Sequence, residues 1–567
     1  MAQARQVAPA VWEDVDRVVV LGDVHGALGP VRQILQASGL IDTEDGWIGG
    51  RSHLVSLGDL IDRGAASRAV MDLFIALQPQ AAAAGGRVHV ILGNHEVMNL
   101  LGNLQDVSEA ELASYGGVAG HARLFAQQGE YGRWLTTLPT LVKINNSLFV
   151  HGGLSRVASG RSVQQINADT QADISALLQA GPTAAAFLQQ RATAEQNTTP
   201  LAPQDPSLNL LSLADQLSAF ATQDLPSSLQ EFIAAARAPL LDSQGPHWYR
   251  GNASCHPLLE NQWLSGLLNQ FQVSRVVIGH TPTPGRAIRM RLQQQVVAID
   301  TGMLAEVYKG RPQALEITQS ESGDEVLVVI DAAGERYAPQ NADLRNQAYT
   351  PDRLALLRAA PISQLDASAQ PTQVLLDTAA GEIATQFVPL SGKRARQAVA
   401  AYRLSELLQL DMVAPTVLRK IEGKSGVLRD SGAPLKSGRW LSEAQRQQGG
   451  YQRPNYCYAG SDYNLLSAFD SLIGKRDRNP DNLHYVIPTW AIRIDDNGTA
   501  FDTSKRVNRY PEIPALPRGF KQQLGALTHA QLTELLADLL SERQIKAILQ
   551  RRDAILDWPT LSSAESE

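Results

Sequence analysis

Five short motifs in this sequence combine metal-binding side chains with glycines that permit tight turns. Their carboxylate, amide and imidazole groups suit a divalent ion such as Mn²⁺, Fe²⁺ or Zn²⁺. The candidate ligands outnumber those that one ion needs, so the motifs predict two ions that share a carboxylate and activate a water for in-line attack at phosphorus. In chain order the motifs are GDVHG (residues 22–26), GDLIDRG (58–64), GNHE (93–96), HGG (151–153) and GHT (279–281).

An apolar, β-branched run precedes each motif and predicts a strand that ends where the motif begins. Ligands of open α/β sheets gather at the carboxyl ends of strands, so we expect the motifs to share one edge of the structure. A single Asp before Gly is as often a turn residue as a ligand, but five such motifs in order favour a site. The predicted strands are residues 18–21, 54–57, 88–92, 148–150, 276–278 and 296–299.

Length and composition indicate a folded chain with at least two domains. It has 567 residues, of which 44% are hydrophobic and 19% charged, close to ordinary globular usage. A net charge of −7 argues against a protein whose main partner is nucleic acid or acidic lipid. No run of about 18 apolar residues that could span a membrane occurs. The sequence does not indicate an oligomeric state.

The domain organisation follows from changes in composition along the chain. Residues 1–15 are predicted to be a flexible N-terminus, and residues 16–345 to form the α/β domain that carries the motifs. An Ala-, Gln- and Pro-rich stretch at about 156–245 is interpreted as a helical insertion over the site. Pro339, Pro351 and Pro361 mark a boundary. We therefore predict a linker at 346–365 and a second domain at 366–567.

Two cysteines, Cys255 and Cys457, are too few for a disulfide scaffold or a zinc ribbon. Whether they pair is left open by the sequence. The compartment is open as well. Ala2-Gln3-Ala4 has the small-x-small form seen before a signal-peptide cleavage site, which fits a periplasmic or secreted protein whose signal has been removed, but a cytoplasmic location is the alternative.

The five motifs resemble those of the metallo-dependent phosphoprotein phosphatases, over about residues 17–330. Within that family the segments 93–100 (GNHEVMNL), 148–155 (LFVHGGLS), 248–251 (WYRG) and 300–317 (DTGMLAEVYKGRPQALEI) are most similar to the Shewanella-like phosphatase branch. The resemblance implies a calcineurin-like metallophosphoesterase fold of the α/β class, in which helices flank a β-sandwich. It also implies two divalent metal ions, Mn, Fe or Zn.

The resemblance assigns metal-binding roles to six residues. Asp23 and His25 would hold the first ion, Asp59 would bridge, and the second ion would be held by Asn94, His151 and His280. A bridging carboxylate lets two cations approach each other, and a neutral Asn ligand limits the negative charge of the site.

Four further residues receive roles in catalysis and phosphate binding from the same resemblance. His95 would be the general acid that protonates the leaving oxygen, and Asp62 would orient it. Arg63 and Arg250 would bind the phosphoryl oxygens. Read individually, Asp62 could instead be a helix cap, Arg63 a surface turn residue and Arg250 the partner of a carboxylate. Glu96 is expected to brace its loop, and His53, His121, His247 and His256 have no motif support and are expected to be structural or exposed.

The C-terminal portion resembles the atypical kinase fold shared by secretory-pathway and phosphoinositide-type kinases. The similar segments are residues 400–407 (AAYRLSEL), 413–417 (VAPTV), 469–482 (FDSLIGKRDRNPDN) and 494–501 (IDDNGTAF). The resemblance implies a kinase-like α+β domain in which Asp477 is the catalytic Asp and Asn482 and Asp496 bind metal, with Mg²⁺ and ATP as ligands.

Two departures from that family speak against an active kinase. The chain has Val388 where family members have the phosphate-binding Lys, and Gln397 where they have its Glu partner. Val388 cannot neutralise phosphate charge, so the sequence favours a pseudokinase-like binding or regulatory domain. An active kinase stays the alternative, because Lys393 or Lys424 could substitute.

These observations predict a dinuclear metal-dependent phosphomonoesterase that acts on phosphoproteins, on Tyr, Ser or Thr, by direct attack of a metal-bridging hydroxide. The C-terminal domain would bind or regulate. The alternatives are a bifunctional phosphatase and kinase, a dinucleoside polyphosphate hydrolase, and a binding scaffold with a vestigial phosphatase. Nothing in the sequence separates phosphotyrosine from phosphoserine or phosphothreonine as the substrate.

Overall fold

The computed structural model describes residues 9–194, 209–220, 225–320, 324–341, 351–369, 371–379, 381–430, 435–447, 457, 461–487 and 490–561. Internal contacts divide the chain into two compact units. Unit 1 comprises Met1–Ala253 and Leu264–Asn341, and unit 2 comprises Ser254–Trp263 and Ala342–Glu567. None of the described helices combines the length and the apolar character that crossing a membrane requires.

Two sheets form the centre of unit 1. One has the strand order β1-β5-β6-β7-β9-β8-β13 and the other the order β12-β11-β10-β2-β3-β4. Their strands are β1 (Val11–Trp12), β2 (Arg17–Leu21), β3 (His53–Ser56), β4 (Arg87–Val90), β5 (Leu141–Ile144), β6 (Ser147–Val150), β7 (Arg275–Ile278), β8 (Arg289–Arg291), β9 (Val296–Ala298), β10 (Gln313–Gln319), β11 (Glu325–Asp331), β12 (Arg336–Tyr337) and β13 (Gln340–Asn341).

Helices connect these strands along the chain up to residue 341. They are α1 (Leu28–Ala37), α2 (Ser67–Ala83), α3 (Asn94–Leu100), α4 (Glu109–Ser114), α5 (Gly117–Phe125), α6 (Glu130–Leu135), α7 (Val163–Ala194), α8 (Leu210–Leu217), α9 (Ser227–Ala236), α10 (Gly251–Ser254), α11 (Pro257–Phe271) and α12 (Ala305–Tyr308). The stretch predicted as a helical insertion thus contains α7, α8 and α9.

Successive side chains of the central strands point to opposite faces of the sheet, and the two faces pack into two separate apolar cores. Val18 and Val20 of β2 point into a core shared with Phe149 and Val277 of the other sheet, so the two sheets face each other as a sandwich. Val19 and its neighbours on the opposite face pack against the apolar sides of α1, α2 and the insertion helices. Strands that are buried on both faces need the continuous apolar runs found in the sequence. The predicted sandwich with flanking helices is therefore confirmed.

The C-terminal unit combines antiparallel sheets with helices. A five-stranded sheet has the order β14-β15-β16-β18-β17, and a three-stranded sheet the order β19-β20-β21. The strands are β14 (Ile362–Asp366), β15 (Thr372–Leu376), β16 (Ile383–Pro389), β17 (Thr416–Ile421), β18 (Lys424–Asp430), β19 (Leu435–Ser437), β20 (Leu483–Val486) and β21 (Ala491–Ile494). The helices are α13 (Pro351–Ala359), α14 (Gly392–Leu407), α15 (Gly438–Gln447), α16 (Ser461–Ile473), α17 (Arg518–Gly525), α18 (His529–Leu536) and α19 (Glu542–Leu556).

Two segments predicted to lack regular structure contain it. Within residues 1–15, β1 pairs in parallel with β5, whereas residues 1–8 lie outside the described part. Residues 346–365, predicted as a linker, contain α13 and the first residues of β14, because Leu357 and Ala360 are buried in a small core of unit 2. The three prolines that suggested a linker lie outside helices or at the first position of one, where proline is tolerated.

The two cysteines, whose pairing the sequence left open, form a disulfide within unit 2. Cys255 and Cys457 form a disulfide with their Cα atoms 5.4 Å apart, a separation that suits an S–S bond. Cys255 belongs to the short segment Ser254–Trp263 of unit 2. The disulfide therefore joins that segment to the main part of the same unit.

Candidate metal centre and active site

The predicted site residues follow strands whose carboxyl ends lie at one edge of the sandwich. In one sheet β2, β3 and β4 are mutually parallel, and in the other β6, β7 and β9 are parallel. Each of these strands ends just before a polar loop, as expected of ligand sites in α/β proteins. The loops carry Asp23 and His25 after β2, Asp59, Asp62 and Arg63 after β3, Asn94 and His95 after β4, His151 after β6, His280 after β7 and Asp300 after β9.

Several site residues have a left-handed backbone, which is uncommon for residues other than glycine. The φ angles are 48° at His25, 50° at Asp59, 69° at Asp62, 68° at Arg63 and 63° at His280. Non-glycine residues adopt this region at a cost in free energy and concentrate at functional sites. The loops are thus held in conformations that local preference does not favour.

Asp59 lies between two groups of imidazoles. Its Oδ2 is 3.8 Å from Nε2 of both His25 and His95, and its Oδ1 is 3.3 Å from Nε2 of His151. Two sets of side chains could therefore hold a metal ion, with Asp59 in both: Asp59 with His25 and His95, and Asp59 with His151 and His280. All of these side chains are buried. A carboxylate shared in this way is what two neighbouring ions need.

Main-chain carbonyls orient two of the imidazoles for metal binding. Nδ1 of His25 lies 3.0 Å from the carbonyl oxygen of Ile61, and Nδ1 of His151 lies 2.8 Å from that of Leu57. When Nδ1 donates its proton to a carbonyl, Nε2 is left as a lone-pair donor for a cation. His280 adds a buried Nε2 that has no hydrogen-bond partner among the described residues. These side chains fit divalent ions.

Asp23 and Asn94 lie beside these imidazoles. The main-chain N–H of His280 donates to Oδ1 of Asp23 over 2.8 Å, and Oδ1 of Asn94 is 3.0 Å from Nε2 of His151. Burial raises the pKa of Asp23 well above its ordinary value, and the nearby charges of Asp300 and Asp59 raise it further. Divalent ions would relieve this crowding of carboxylates. The sequence predicted Asp23, His25 and Asp59 as ligands of the first ion, whereas the group found in the structure combines His25 and Asp59 with His95. Asp23 stays a predicted ligand.

His95 and Asp62 form a buried pair. Nδ1 of His95 lies 2.6 Å from Oδ2 of Asp62, and both side chains are almost fully shielded from solvent. Burial lowers the pKa of His95, but the charge of Asp59 and the hydrogen bond with Asp62 outweigh it, so the net pKa is raised. The carboxylate of Asp62 accepts from a side chain rather than capping a helix. This arrangement suits a proton donor held in one orientation.

Three residues to which the sequence gave no role in the site support this pair. Nδ2 of Asn99 donates to both oxygens of Asp62 at 2.9 and 3.0 Å, and its Oδ1 is 2.7 Å from Nε2 of His121. Oε1 of Glu111 accepts from the main-chain N–H of Asp62 over 3.1 Å. Asn99 lies four residues after His95 on α3, a spacing that places both on one helix face. Glu111 and His121 lie on α4 and α5 and carried no motif signal.

The two predicted phosphate-binding arginines lie at the same site. Nη1 of Arg63 is 3.0 Å from Nε2 of His25 and contacts the hydroxyl of Tyr308, while its Nη2 is 3.9 Å from the carboxylate of Asp106. Nη1 of Arg250 donates to the carbonyl oxygen of His280 over 2.8 Å. Tyr308, whose ring stacks on that of His25, lies in the 300–317 segment that carried the resemblance but was given no role.

Glu96 braces the loops as the sequence predicted. Its carboxylate accepts from the main-chain N–H groups of Asp59, Leu60 and Gly93, each over 2.8 Å. A side chain at Gly93 would overlap Asp59. Glu96 and Gly93 therefore let the loop after β4 approach the bridging carboxylate closely.

The four histidines without motif support are all buried. His53 contacts His89 on the neighbouring strand, with 3.1 Å between ring nitrogens. His256 contacts the carbonyl oxygen of Leu410 inside unit 2. His121 differs from the others, because it reaches Asp62 through Asn99. His247 packs against the ring of Trp248.

In unit 2 a lysine links two of the three predicted kinase-like residues. Nζ of Lys475, a buried side chain, is 2.8 Å from Oδ1 of Asp477 and 3.6 Å from Oδ2 of Asp496. Oδ1 of Asn482 accepts from Nη1 of Arg478 and from the main-chain N–H of Asn479. These acceptors are thus already paired with cations or N–H groups.

Comparisons with known proteins concern the N-terminal part of the chain. Residues 16–284 match the family model for calcineurin-like phosphoesterases. Shewanella-like protein phosphatase 1 of Plasmodium berghei (strain Anka) is 28% identical over 302 residues, which are 52% of this chain and 69% of that protein. Shewanella-like protein phosphatase 2 of Arabidopsis thaliana is 36% identical over 104 residues, 18% of this chain and 27% of that protein.

A similar solved structure is the cold-active protein-tyrosine phosphatase of a psychrophilic Shewanella species. It is 24% identical, with a TM-score of 0.44 over 59% of this chain and 83% of that one. The phosphoesterase family implies divalent metal ions, and the buried groups around Asp59 are candidates to hold them. Residues 16–284 therefore form a calcineurin-like phosphoesterase domain, a hydrolase of phosphate esters that has Shewanella-like protein phosphatases among its homologues.

Proposed function

We propose that unit 1 is a dinuclear metal-dependent phosphomonoesterase that dephosphorylates phosphoproteins. The observation that carries the proposal is the position of Asp59, whose two carboxylate oxygens face different imidazoles. When bound, two divalent ions would supply Lewis acidity at the phosphoryl oxygens and an activated water. Asp23, His25 and Asp59 would hold one ion, and Asp59, Asn94, His151 and His280 the other.

The remaining site residues would bind the phosphoryl group and handle the proton. Guanidinium groups match phosphate oxygens in geometry and stay charged, so Arg63 and Arg250 would hold and orient the substrate. His95 would give the proton on Nε2 to the leaving oxygen, while Asp62 keeps Nδ1 protonated and stabilises the imidazolium.

Two relatives named as protein phosphatases support a phosphoprotein as the substrate. They favour this class over dinucleoside polyphosphates, the other substrate considered. A panel of peptides that carry phosphotyrosine, phosphoserine or phosphothreonine in one sequence context would determine the preference, with kcat/KM for each peptide as the measurement.

Turnover of p-nitrophenyl phosphate with added Mn²⁺ tests the active site. We expect Asp59→Asn to abolish turnover, because the shared ligand is lost. His95→Asn should lower kcat by less than the roughly 10²–10⁴-fold that a positioned acid usually contributes, because the p-nitrophenolate leaving group needs less protonation. Chelation of the metal should abolish turnover as well. His529→Asn, at an exposed position of unit 2, is the matched control and should behave as wild type. Unchanged turnover in the Asp59 and His95 variants would contradict the assignment.

For unit 2 we propose a kinase-like domain that binds or regulates rather than transfers phosphate. The proposal rests on Lys475, whose ammonium group lies 2.8 Å from the carboxylate of Asp477, the predicted catalytic Asp, and 3.6 Å from that of Asp496, a predicted Mg²⁺ ligand. It rests as well on Val388 in place of a phosphate-binding lysine.

Calorimetry of ATP binding in the presence of Mg²⁺ tests this second proposal. We expect weak or no heat of binding and no transfer of phosphate to a protein substrate, because a lysine contacts both the predicted catalytic Asp477 and the predicted metal ligand Asp496. Tight binding together with transfer that Asp477→Asn abolishes would overturn it and would support a bifunctional phosphatase and kinase.

A further inference from the structure

A basic cleft of about 600 Å³ lies in unit 2. This basic cleft is lined by Leu466, Ser467, Asp470, Lys475, Arg476, Arg478, Arg506, Val507, Asn508, Arg509 and Tyr510. Five of these residues are cationic and one is acidic, although the chain as a whole carries a net charge of −7. Positive charge is therefore concentrated at this cleft against the sign of the protein.

Three of the five cations are paired with carboxylates. Arg478 donates to both oxygens of Asp470 at 2.9 and 2.7 Å. Lys475 is paired with Asp477, and Arg476 lies 3.3 Å from Asp502. These contacts fix the wall of the cleft. Asp470, the acidic residue among those that line the cleft, is thus already paired with Arg478 and does not offset the charges of Arg506 and Arg509.

Arg506 and Arg509 supply the uncompensated charge. Both are exposed, and neither makes an ion pair with a residue in the part of the chain that the structure describes. The segment that carries them is attached to the wall: Nδ2 of Asn508 donates to the carbonyl oxygen of Lys475 over 2.7 Å, and the hydroxyl of Tyr510 donates to that of Ser467 over 2.9 Å. The two guanidinium groups are thus carried by an anchored backbone.

We propose that this basic cleft binds a phosphorylated side chain of a protein, and the proposal rests on phosphoproteins being the substrates of unit 1. Two free guanidinium forks suit the dianionic phosphate of such a side chain. A cavity of this size accommodates a ligand of a few residues. Nucleic acid would need an extended basic surface, whereas two arginines carry the unpaired charge among the residues that line this cleft.

A binding titration tests the proposal. The probe is a fluorescent peptide that carries a non-hydrolysable phosphonate analogue of phosphotyrosine, and the readout is its anisotropy at physiological salt. We expect Arg506→Ala/Arg509→Ala to weaken binding by about tenfold or more, because two charge-assisted contacts are lost. The charge-matched control Arg358→Ala/Arg543→Ala, also in unit 2 and exposed, should bind as wild type.

Four results would overturn the proposal. One is wild-type affinity in the Arg506/Arg509 variant. The second is equal binding of the peptide without its phosphonate group. The third is a loss of binding that occurs in Arg63→Ala/Arg250→Ala and not in the cleft variant, which would locate the peptide at the active site. A labelled oligonucleotide that binds more tightly than the peptide, with the same dependence on Arg506 and Arg509, would likewise replace a phosphoprotein with nucleic acid as the ligand.

The same preparations separate this proposal from the phosphatase assignment. Turnover of p-nitrophenyl phosphate should be the same in the wild type, the cleft variant and the control, because none of these substitutions touches the metal centre. If turnover were missing in all three while peptide binding still depended on Arg506 and Arg509, the phosphatase assignment would be wrong and the cleft would stand as a phosphate-binding site.

Discussion

Asp62 makes more side-chain and main-chain hydrogen bonds than the sequence motifs indicate. Its carboxylate contacts His95 and Asn99, and its main-chain N–H donates to Glu111. Asn99 in turn reaches His121. For the proposed role of Asp62, to keep the imidazole of His95 in one tautomer, such fixed partners are an advantage, because any rotation of the carboxylate would misalign the proton.

Replacement of Asn99 should affect substrates according to their leaving group. In Asn99→Ala, Asp62 loses a donor to both oxygens, so we expect kcat for a phosphoserine peptide to fall by about tenfold to a hundredfold, part of what a positioned acid contributes. The fall should be smaller for p-nitrophenyl phosphate, whose leaving group needs less protonation. Steady-state kinetics with both substrates is the measurement.

The control for that experiment is another buried asparagine of unit 1. Oδ1 of Asn167 accepts from the main-chain N–H groups of Thr140 and Leu141 and has no contact with Asp62. Asn167→Ala should lower stability without any dependence on the leaving group. An equal loss of kcat for both substrates in Asn99→Ala would mean that Asn99 acts only on the fold.

At the scale of elements, a pair of histidines joins two neighbouring strands. His53 of β3 and His89 of β4 are in contact, and the indole of Trp12 on β1 packs edge-on against both rings. Burial lowers the pKa of His89 to about 3 and that of His53 to about 4, from an ordinary value of 6.5. The folded protein therefore needs both imidazoles neutral.

Stability should consequently fall as the pH is lowered. The unfolded chain takes up protons on these histidines below pH 6.5, while the folded chain does so only near pH 3 to 4. In His89→Asn we expect the loss of unfolding free energy between about pH 7 and pH 5 to be about 1–2 kcal/mol smaller than in wild type. Urea denaturation followed by tryptophan fluorescence measures it, and parallel pH curves for both proteins would contradict the prediction.

At the scale of the whole molecule, unit 2 is built from two separate stretches of chain. Ser254–Trp263 belongs to it, although the chain then contributes Leu264–Asn341 to unit 1 before returning. Leu259 is buried in the main core of unit 2, and Cys255 is bonded to Cys457 across a sequence separation of 202 residues. The short stretch is thus held by packing and by a covalent link.

Removal of the disulfide should destabilise the C-terminal unit. A bond that closes so long a loop restricts the unfolded chain, and Cys255→Ser/Cys457→Ser should lower the unfolding free energy by about 2–5 kcal/mol. Differential scanning calorimetry with and without a reductant is the measurement, and the reductant should have no further effect on the double variant. A thermal transition that neither reductant nor the substitutions move would contradict the prediction.

The sequence alone determined the parts of this protein that local patterns encode. Six apolar runs predicted strands to within one or two residues, because a strand buried on both faces has to be apolar over its length. The motifs predicted which side chains follow those strands, since a predicted ligand such as Asp59 and the glycines around it are adjacent in the chain. The prediction of a linker at 346–365 rested on prolines, which mark helix starts as well as loops, and its described residues, 351–365, contain α13 and the start of β14.

Only the tertiary structure decided what brings distant residues together. It placed His121 next to Asn99, Tyr308 over His25 and Cys255 against Cys457. It brought a buried lysine close to Asp477 and Asp496. It also left Arg506 and Arg509, which line the basic cleft, without an ion pair to any residue that the structure describes. Contacts of this kind depend on how strands and helices pack, and packing between residues far apart in the chain leaves no periodicity or spacing that a sequence can show.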